Sequence, residues 1–256
     1  MKIRQIRNAT LVIEYGGQRF LIDPWLAGKG AIPGFEGTPN NHLRNPTCEL
    51  VVPINDILAV DAVILTHVHP DHWDEVAASV IPKDIPFFVQ HFGDREIVKA
   101  AGFTNVRALT GNPEFEGVKL IKTPGQHGSD ECLQAAYDIL GEVIGVVFKH
   151  PQEKTLYLAG DTVFNEYVVG NLRSYSPGVV IVNCCDAQVS GFGSIIMSKE
   201  DVQAVYRAVP HATIIASHME AVNHATLTRA ALRAFIAEKG MTDRVRVPED
   251  GETCVV

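Results

Sequence analysis

The sequence predicts an α/β (α+β) domain in which two β-sheets pack together and helices cover the outside. Three observations carry that expectation: strand-like runs open the chain around a tight turn, strand-like and helix-like segments alternate after residue 61, and no low-complexity linker interrupts the 256 residues. With no boundary and no internal repeat in the residues, one domain spans 1–256.

Leu11 to Gly17 (LVIEYGG) and Gln18 to Trp25 (QRFLIDPW) read as the first strands, with Gly16-Gly17 as the hairpin turn between them. Ala27 to Pro53 is rich in Gly, Pro and Asn and has little periodicity, the mark of a long loop, which is usually functional or disordered. After Asp61, AVILT and Ile85 to Gln90 (IPFFVQ) read as buried strands, Gly93 to Gly102 as a short helix, and FEGVKLIKT, EVIGVVFKH and KTLYLAG as further strands. Val179 to Cys185 and Ala212 to His218 are strands, each followed by a helix. The first helix starts at Ser198 with Asp201 in a capping arrangement, and the second, TLTRAALRAFIAEK, ends at Gly240.

Hydrophobic residues make up 46% of the chain, enough for a sizeable core. No apolar run reaches the ~18 to 20 residues of a membrane span, and MKIRQIRNATLVIEYGG lacks the succession of a signal peptide, so a cytoplasmic location is expected. The five cysteines are odd in number and lack C-x-x-C spacing, which agrees with reduced thiols; Cys184 and Cys185 read as small core hydrophobes. Net charge is −8 with scattered basic residues, a field that repels nucleic acid, so a small molecule is the expected partner.

The chemistry concentrates in Thr66 to Asp74, THVHPDHWD, directly after an apolar run. If the strand persists to His69, His67 and His69 share a side, because side chains alternate along a strand. Asp71 and His72 then approach from the following turn, stiffened by Pro70. Such an all-imidazole and carboxylate set suits two neighbouring cations with positions left for water, unlike the closed, thiolate-rich structural zinc sites. Further donors should come from other strand ends, and His127 in TPGQHG, Asp161 in LAGDT and His218 in ASHMEAVNH each follow a strand-like run. Asp161 suits a bridging position, since an ionised carboxylate only accepts.

These motifs, THVHPDH, TPGQHG, AGDT and ASH in that order, resemble the metallo-β-lactamase superfamily over most of the chain. LIDPWL, NHLRNP, HMEAVNHATLTR and RVRVPEDGE are similar to its metal-dependent hydrolases around ascorbate-6-phosphate lactonase. The resemblance implies a four-layered αββα sandwich with a two-metal site on one edge. It assigns His67, His69 and His127 to one metal, Asp71, His72 and His218 to the other, and Asp161 to both. Gln126, before His127, and the strand end NCCDAQ (Asn183 to Gln188) depart from the pattern, the latter where it would reshape the pocket floor.

Two divalent ions roughly 3.5 to 4 Å apart hold a bridging water and lower its pKa toward neutrality. Zinc is the first expectation, with manganese or iron as alternatives. Asp71 is the candidate catalytic residue, orienting the nucleophile or taking its proton. Asp23 is a candidate second support for a ligand histidine, Asp74 a helix cap, and His42, Arg44 and His224 candidate substrate contacts. His91, His150 and His211 read as surface or turn residues. The expected activity is hydrolysis of a small anionic ester, lactone or phosphoester. An iron-dependent oxidoreductase or a non-catalytic metal-dependent sensor is the alternative, and assembly into homo-oligomers is compatible.

Overall fold

The computed structural model describes residues 1–256. The first half of the chain builds β1 (Lys2–Arg7), β2 (Thr10–Tyr15), β3 (Gln18–Ile22), α1 (Ile54–Ile57), β4 (Ala62–Leu65), α2 (Glu75–Val80), β5 (Phe87–Val89), α3 (Phe92–Ala100) and β6 (Val106–Ala108). The second half begins with β7 (Glu114–Phe115), β8 (Val118–Pro124), α4 (Asp130–Leu140), β9 (Ile144–Lys149), β10 (Leu156–Leu158), α5 (Glu166–Tyr175) and β11 (Val179–Asn183). It ends with β12 (Gln188–Val189), β13 (Gly193–Ser194), α6 (Lys199–Ala208), β14 (Thr213–Ser217), α7 (Arg229–Glu238), β15 (Val245–Arg246) and β16 (Thr253–Val255).

Two seven-stranded sheets result, ordered β16-β1-β2-β3-β4-β5-β6 and β15-β14-β11-β10-β9-β8-β7. Each joins an antiparallel meander to strands paired in parallel through helical crossovers. Three cores explain the sandwich. Phe20, Ile64 and Phe88 of the first sheet meet Phe148, Ile181 and Ile215 of the second in the central layer. The outer face of the first sheet packs Leu21, Val63 and Val89 on Ala77 of α2 and Val98 of α3. That of the second packs Val180, Val182 and Ile214 on Val168 and Leu172 of α5, Val202 of α6 and Leu232 of α7. Because side chains alternate along a strand, β11 sends Val179 and Ile181 to the centre and Val180 and Val182 outward. A strand covered on both faces must be apolar throughout, which is why AVIL and VVIVN read as unbroken runs.

Most expected elements are present, with informative differences at their ends. Gly16 and Gly17 both have positive φ in the expected two-residue turn. FEGVKLIKT is not one strand, because Glu116 and Gly117 adopt positive φ and fold β7 back on β8. Asp74 caps α2 by accepting from Ala77 N at 2.6 Å, and Ser198 with Asp201 forms a full capping box on α6. His91 caps α3, while His150 directly follows β9 and His211 lies in a turn. The unexpected elements are β1, α1, β6, α4, α5, β12, β13, β15 and β16. No helix is long and apolar enough to cross a membrane.

The long loop is tied down mainly by one side chain. Asn223 Oδ1 accepts from Phe35 N (3.0 Å) and Asn45 Nδ2 (2.8 Å), and its Nδ2 donates to Thr38 Oγ1 (2.9 Å) and Pro39 O (2.7 Å). Its backbone N–H donates to Asn45 Oδ1 at 2.8 Å. Asn223→Leu should therefore cost at least about 2 kcal/mol, several net hydrogen bonds at about 1 kcal/mol each. Urea unfolding measures that cost, and limited proteolysis should show new cleavage between residues 28 and 44.

Candidate metal centre and pocket

The strands of the two sheets deliver the candidate donors from their C-terminal ends: His67 to His72 after β4, His127 after β8, Asp161 after β10 and His218 after β14. Local backbone sets each one. Asp161 follows Gly160, whose φ is +71° and where a Cβ would stand 2.2 Å from Ile144 O, so only glycine permits this approach. His218, Asp23 and Asn8 all hold positive φ, a conformation that non-glycine residues keep only when their surroundings over-determine it.

The donor atoms converge in three groups, His67–His69–His127, His67–His72–Asp161 and Asp71–His72–His218, each within 4.8 Å. Within them His67 Nε2 lies 2.9 Å from His69 Nδ1, and His72 Nε2 lies 3.2 Å from His218 Nε2 and 3.1 Å from Asp161 Oδ2. Asp161 Oδ2 also stands 3.5 Å from His218 Nε2 and 3.8 Å from His127 Nε2, and Asp71 Oδ2 is 3.3 Å from His218 Nε2. All seven sequence-nominated ligands are thus brought together.

The outward atoms of these side chains fix the protons. Ile139 O and Ile195 O only accept, so His69 Nε2 and His127 Nδ1 carry hydrogens across their 2.9 Å contacts. Asp23 Oδ2 accepts from His72 Nδ1 (2.9 Å) and from the Thr66 hydroxyl (2.8 Å), while Asp23 Oδ1 accepts from Thr66 N (2.7 Å). With its hydrogen committed, the Thr66 oxygen accepts from His67 Nδ1 at 3.1 Å. As neutral rings, His67, His69, His72 and His127 therefore turn lone pairs inward, and His67 and His69 oppose theirs at 2.9 Å. A cation between them reconciles the contact, so the donor set fits metal.

Electrostatics divide the rings into two groups. Burial, with neighbouring imidazoles, holds His67 well below the usual histidine value, brings His69 to about 4 and lowers His127. Burial would also lower His72 and His218, yet Asp161 and its neighbours outweigh it and raise both. Burial would raise Asp71 and Asp161, and the facing histidines bring both down. Asn183 Nδ2 donates to Asp161 Oδ1 at 2.7 Å, leaving Oδ2 to face the histidines.

Several supports were not nominated from sequence. Asn8, in the β1–β2 turn, donates to Asp71 O (3.1 Å) and Oδ2 (3.3 Å), and its carbonyl takes the His218 N–H at 2.9 Å. Cys184 fills core as expected, but the equally buried Cys185 brings its sulfur to 3.5 Å from His218 Nδ1. A turn Asn and a buried Cys carry no sequence signal for such roles.

A pocket of about 320 Å³ opens on the cluster. Phe35 and Thr38 come from the long loop, Ala136, Ile139 and Leu140 from α4, and Val189 and Ile195 from the β12–β13 region. Its lining contains no Lys or Arg. His224 lines it, 7% exposed, with burial pushing its imidazole down to about 4. Of the other substrate contacts expected from sequence, His42 is exposed outside the pocket, and Arg44 donates to Gly30 O (2.7 Å) and Ala31 O (3.0 Å).

A two-sheet sandwich with helices on both faces and this His/Asp cluster at its strand ends defines a metallo-β-lactamase-fold hydrolase. The chain matches the β-lactamase superfamily domain over residues 18–219. It belongs to that superfamily and, within it, to the UPF0173 family of metal-dependent hydrolases. UPF0173 protein YddR of Bacillus subtilis (strain 168) is 49% identical over 254 residues, 99% of each chain. A solved isothiocyanate hydrolase from Delia radicum gut bacteria is 48% identical with a TM-score of 0.97, covering 100% of this chain and 99% of that one. A possible metal-dependent hydrolase from Veillonella parvula DSM 2008 is 42% identical with a TM-score of 0.98, at the same coverage.

Two outcomes follow. Asp23→Ala releases His72 and should weaken metal binding about 10- to 100-fold, measured by competition with a chromogenic chelator. In metal-stripped protein, His67, His69, His127 and His224 have folded pKa values below the unfolded 6.5, so the unfolded state binds more protons below that pH. His72 and His218 act oppositely, their contribution being full below 6.5 and lost as pH rises through their elevated values. Thermal unfolding of stripped protein should accordingly show stability falling from pH 6.5 to 5.

Proposed function

We propose that this protein hydrolyses a small, uncharged electrophile bearing an apolar substituent, an isothiocyanate, with two divalent ions. His67, His69 and His127 would hold one ion, Asp71, His72 and His218 the other, and Asp161 Oδ2 would bridge them. The observation that carries the reading is the set of inward lone pairs with their outward protons committed to fixed acceptors. Zinc is the metal first expected, manganese or iron being compatible with the carboxylates. When bound, such a pair supplies a bridging hydroxide near neutral pH and polarises the substrate.

The protein's own contribution is orientation and exclusion of water. Asp23, Thr66, Ile139 O and Ile195 O hold the imidazoles in one tautomer. Asp71, whose Oδ2 stands 3.8 Å from His72 Nε2 and 3.3 Å from His218 Nε2, is placed to orient the nucleophile or accept its proton. Phe35, Ile139 and Leu140 give the substituent an apolar wall. An anionic substrate, the expectation from sequence, would find no cationic side chain in the lining. The relative at 48% identity, an isothiocyanate hydrolase, supports the same substrate class. Five unpaired cysteines suit a cytoplasmic setting.

The test is amine release from benzyl isothiocyanate, alongside elemental analysis of untagged protein. Wild type should show saturable, chelator-sensitive turnover with about two metals per chain, whereas folded His69→Ala and Asp161→Ala should show none. Undiminished turnover in both variants, or a fully folded active protein with less than one metal, would overturn the proposal.

A further inference from the structure

His224 is the one buried titratable side chain of the pocket outside the seven-donor set. Its Nδ1 is buried without a hydrogen-bond partner. An unpaired buried polar atom is costly, and one that persists in a binding cleft points to a partner that arrives with the ligand. The ring is held for that task. Its edge-to-face contact with Phe35 has centroids 5.2 Å apart at 77°, and the His224 carbonyl accepts from Gln188 N at 3.1 Å. Both neighbours belong to pocket-forming segments, the long loop and β12. Thr38 offers no substitute donor, since its hydroxyl is committed to Phe35 O at 2.6 Å.

Hydrolysis of an isothiocyanate needs a proton delivered at nitrogen. Resting on the substrate reading above, we infer that His224 is a catalytic residue, its imidazole hydrogen-bonding the reacting nitrogen of the N=C=S group and passing it a proton. The attacking water oxygen forms the C–O bond while the C=N π pair moves to nitrogen. That nitrogen takes the imidazole proton, and the imidazole recovers one of the two water protons. The C–N bond then breaks with its pair retained on nitrogen, which takes the second water proton. The products, a primary amine and carbonyl sulfide, balance one isothiocyanate and one water.

Two variants test the assignment. His224→Phe keeps the ring contact with Phe35 and removes the proton, and His224→Gln keeps a hydrogen-bond donor that cannot transfer one. With benzyl isothiocyanate, both should lose kcat by about 10²-fold, with KM changed less than about threefold. Metal content should equal that of wild type. Calorimetry with O-ethyl N-benzylthiocarbamate, a stable mimic of the adduct, should show affinity about three- to tenfold weaker in metal-stripped His224→Phe and regained in His224→Gln. Preserved kcat, unchanged probe affinity in His224→Phe, or loss of metal from the variants would each overturn the role of His224 alone. No turnover by wild type would instead remove the substrate reading, and this inference with it.

Discussion

The rest of the structure depends on one electrostatic constraint: lone pairs and carboxylate oxygens from the turns after four strands are pressed toward a common point while their protons are held on the far side. His67 and His69 approach to 2.9 Å with no hydrogen to share in their neutral forms. In water such groups would separate or protonate. Here they do neither freely, because burial penalises protonation of His67 and rigid acceptors hold the outer nitrogens. The arrangement is a cost to the fold that a divalent cation converts into a gain.

That cost is tolerated because the sandwich over-determines each strand end. The central core locks the two sheets against each other through aromatic contacts such as Phe20 with Phe148, centroids 5.4 Å apart. The positive-φ residues around the cluster show where strain is stored: Asn8, Asp23 and His218 each leave a strand in a direction that regular backbone would not take. Each is also held by several bonds. Asp23 accepts three, two from Thr66 and one from His72, so its turn and the ligand turn are a single hydrogen-bonded unit. Asn8 joins Asp71 to His218 in the same way, through its amide on one side and its carbonyl on the other.

The chemistry was legible in the sequence because its spacing is local. His67, His69, Asp71 and His72 lie within one short turn, and His127, Asp161 and His218 each follow an apolar run whose end could be read. Doubly covered strands such as β4 and β11 announce themselves as apolar runs for the same reason. Harder to read was whatever depends on tertiary partners. The residues Lys2–Arg7 alternate poorly, and only pairing with β2 and β16 makes them a strand. Helix α4 did carry signals, Ser129 as its cap and Cys132 and Ala136 at helical spacing, but Ala136 departs to φ −134° and breaks the periodicity. Arg44 was nominated for charge alone, and charge says nothing about which carbonyls a loop will offer it. Asn223 had no sequence mark, although the loop's position over the pocket depends on its amide.

Substrate fit and metal geometry are usually treated as separable, the first belonging to loops and the second to the sheet ends. Ile139 joins them here. Its carbonyl accepts the His69 Nε2–H at 2.9 Å, while the residue lines the pocket and is 76% exposed. A helix C-terminus leaves carbonyls without intrahelical partners, and α4 gives one of them to a candidate metal ligand. The break at Ala136 sets the path of the last turn, so any change that moves this turn to suit a different substituent also moves the acceptor that orients His69. Specificity drift through α4 is therefore coupled to the metal centre, whereas drift through the β12–β13 region reaches it only at Ile195, whose carbonyl holds His127. The wall with the least constraint is the loop around Phe35 and Thr38, which touches the cluster through no hydrogen bond and is tied instead to Asn223. Of the three walls, it is the one free to change what enters without disturbing how the donors are held.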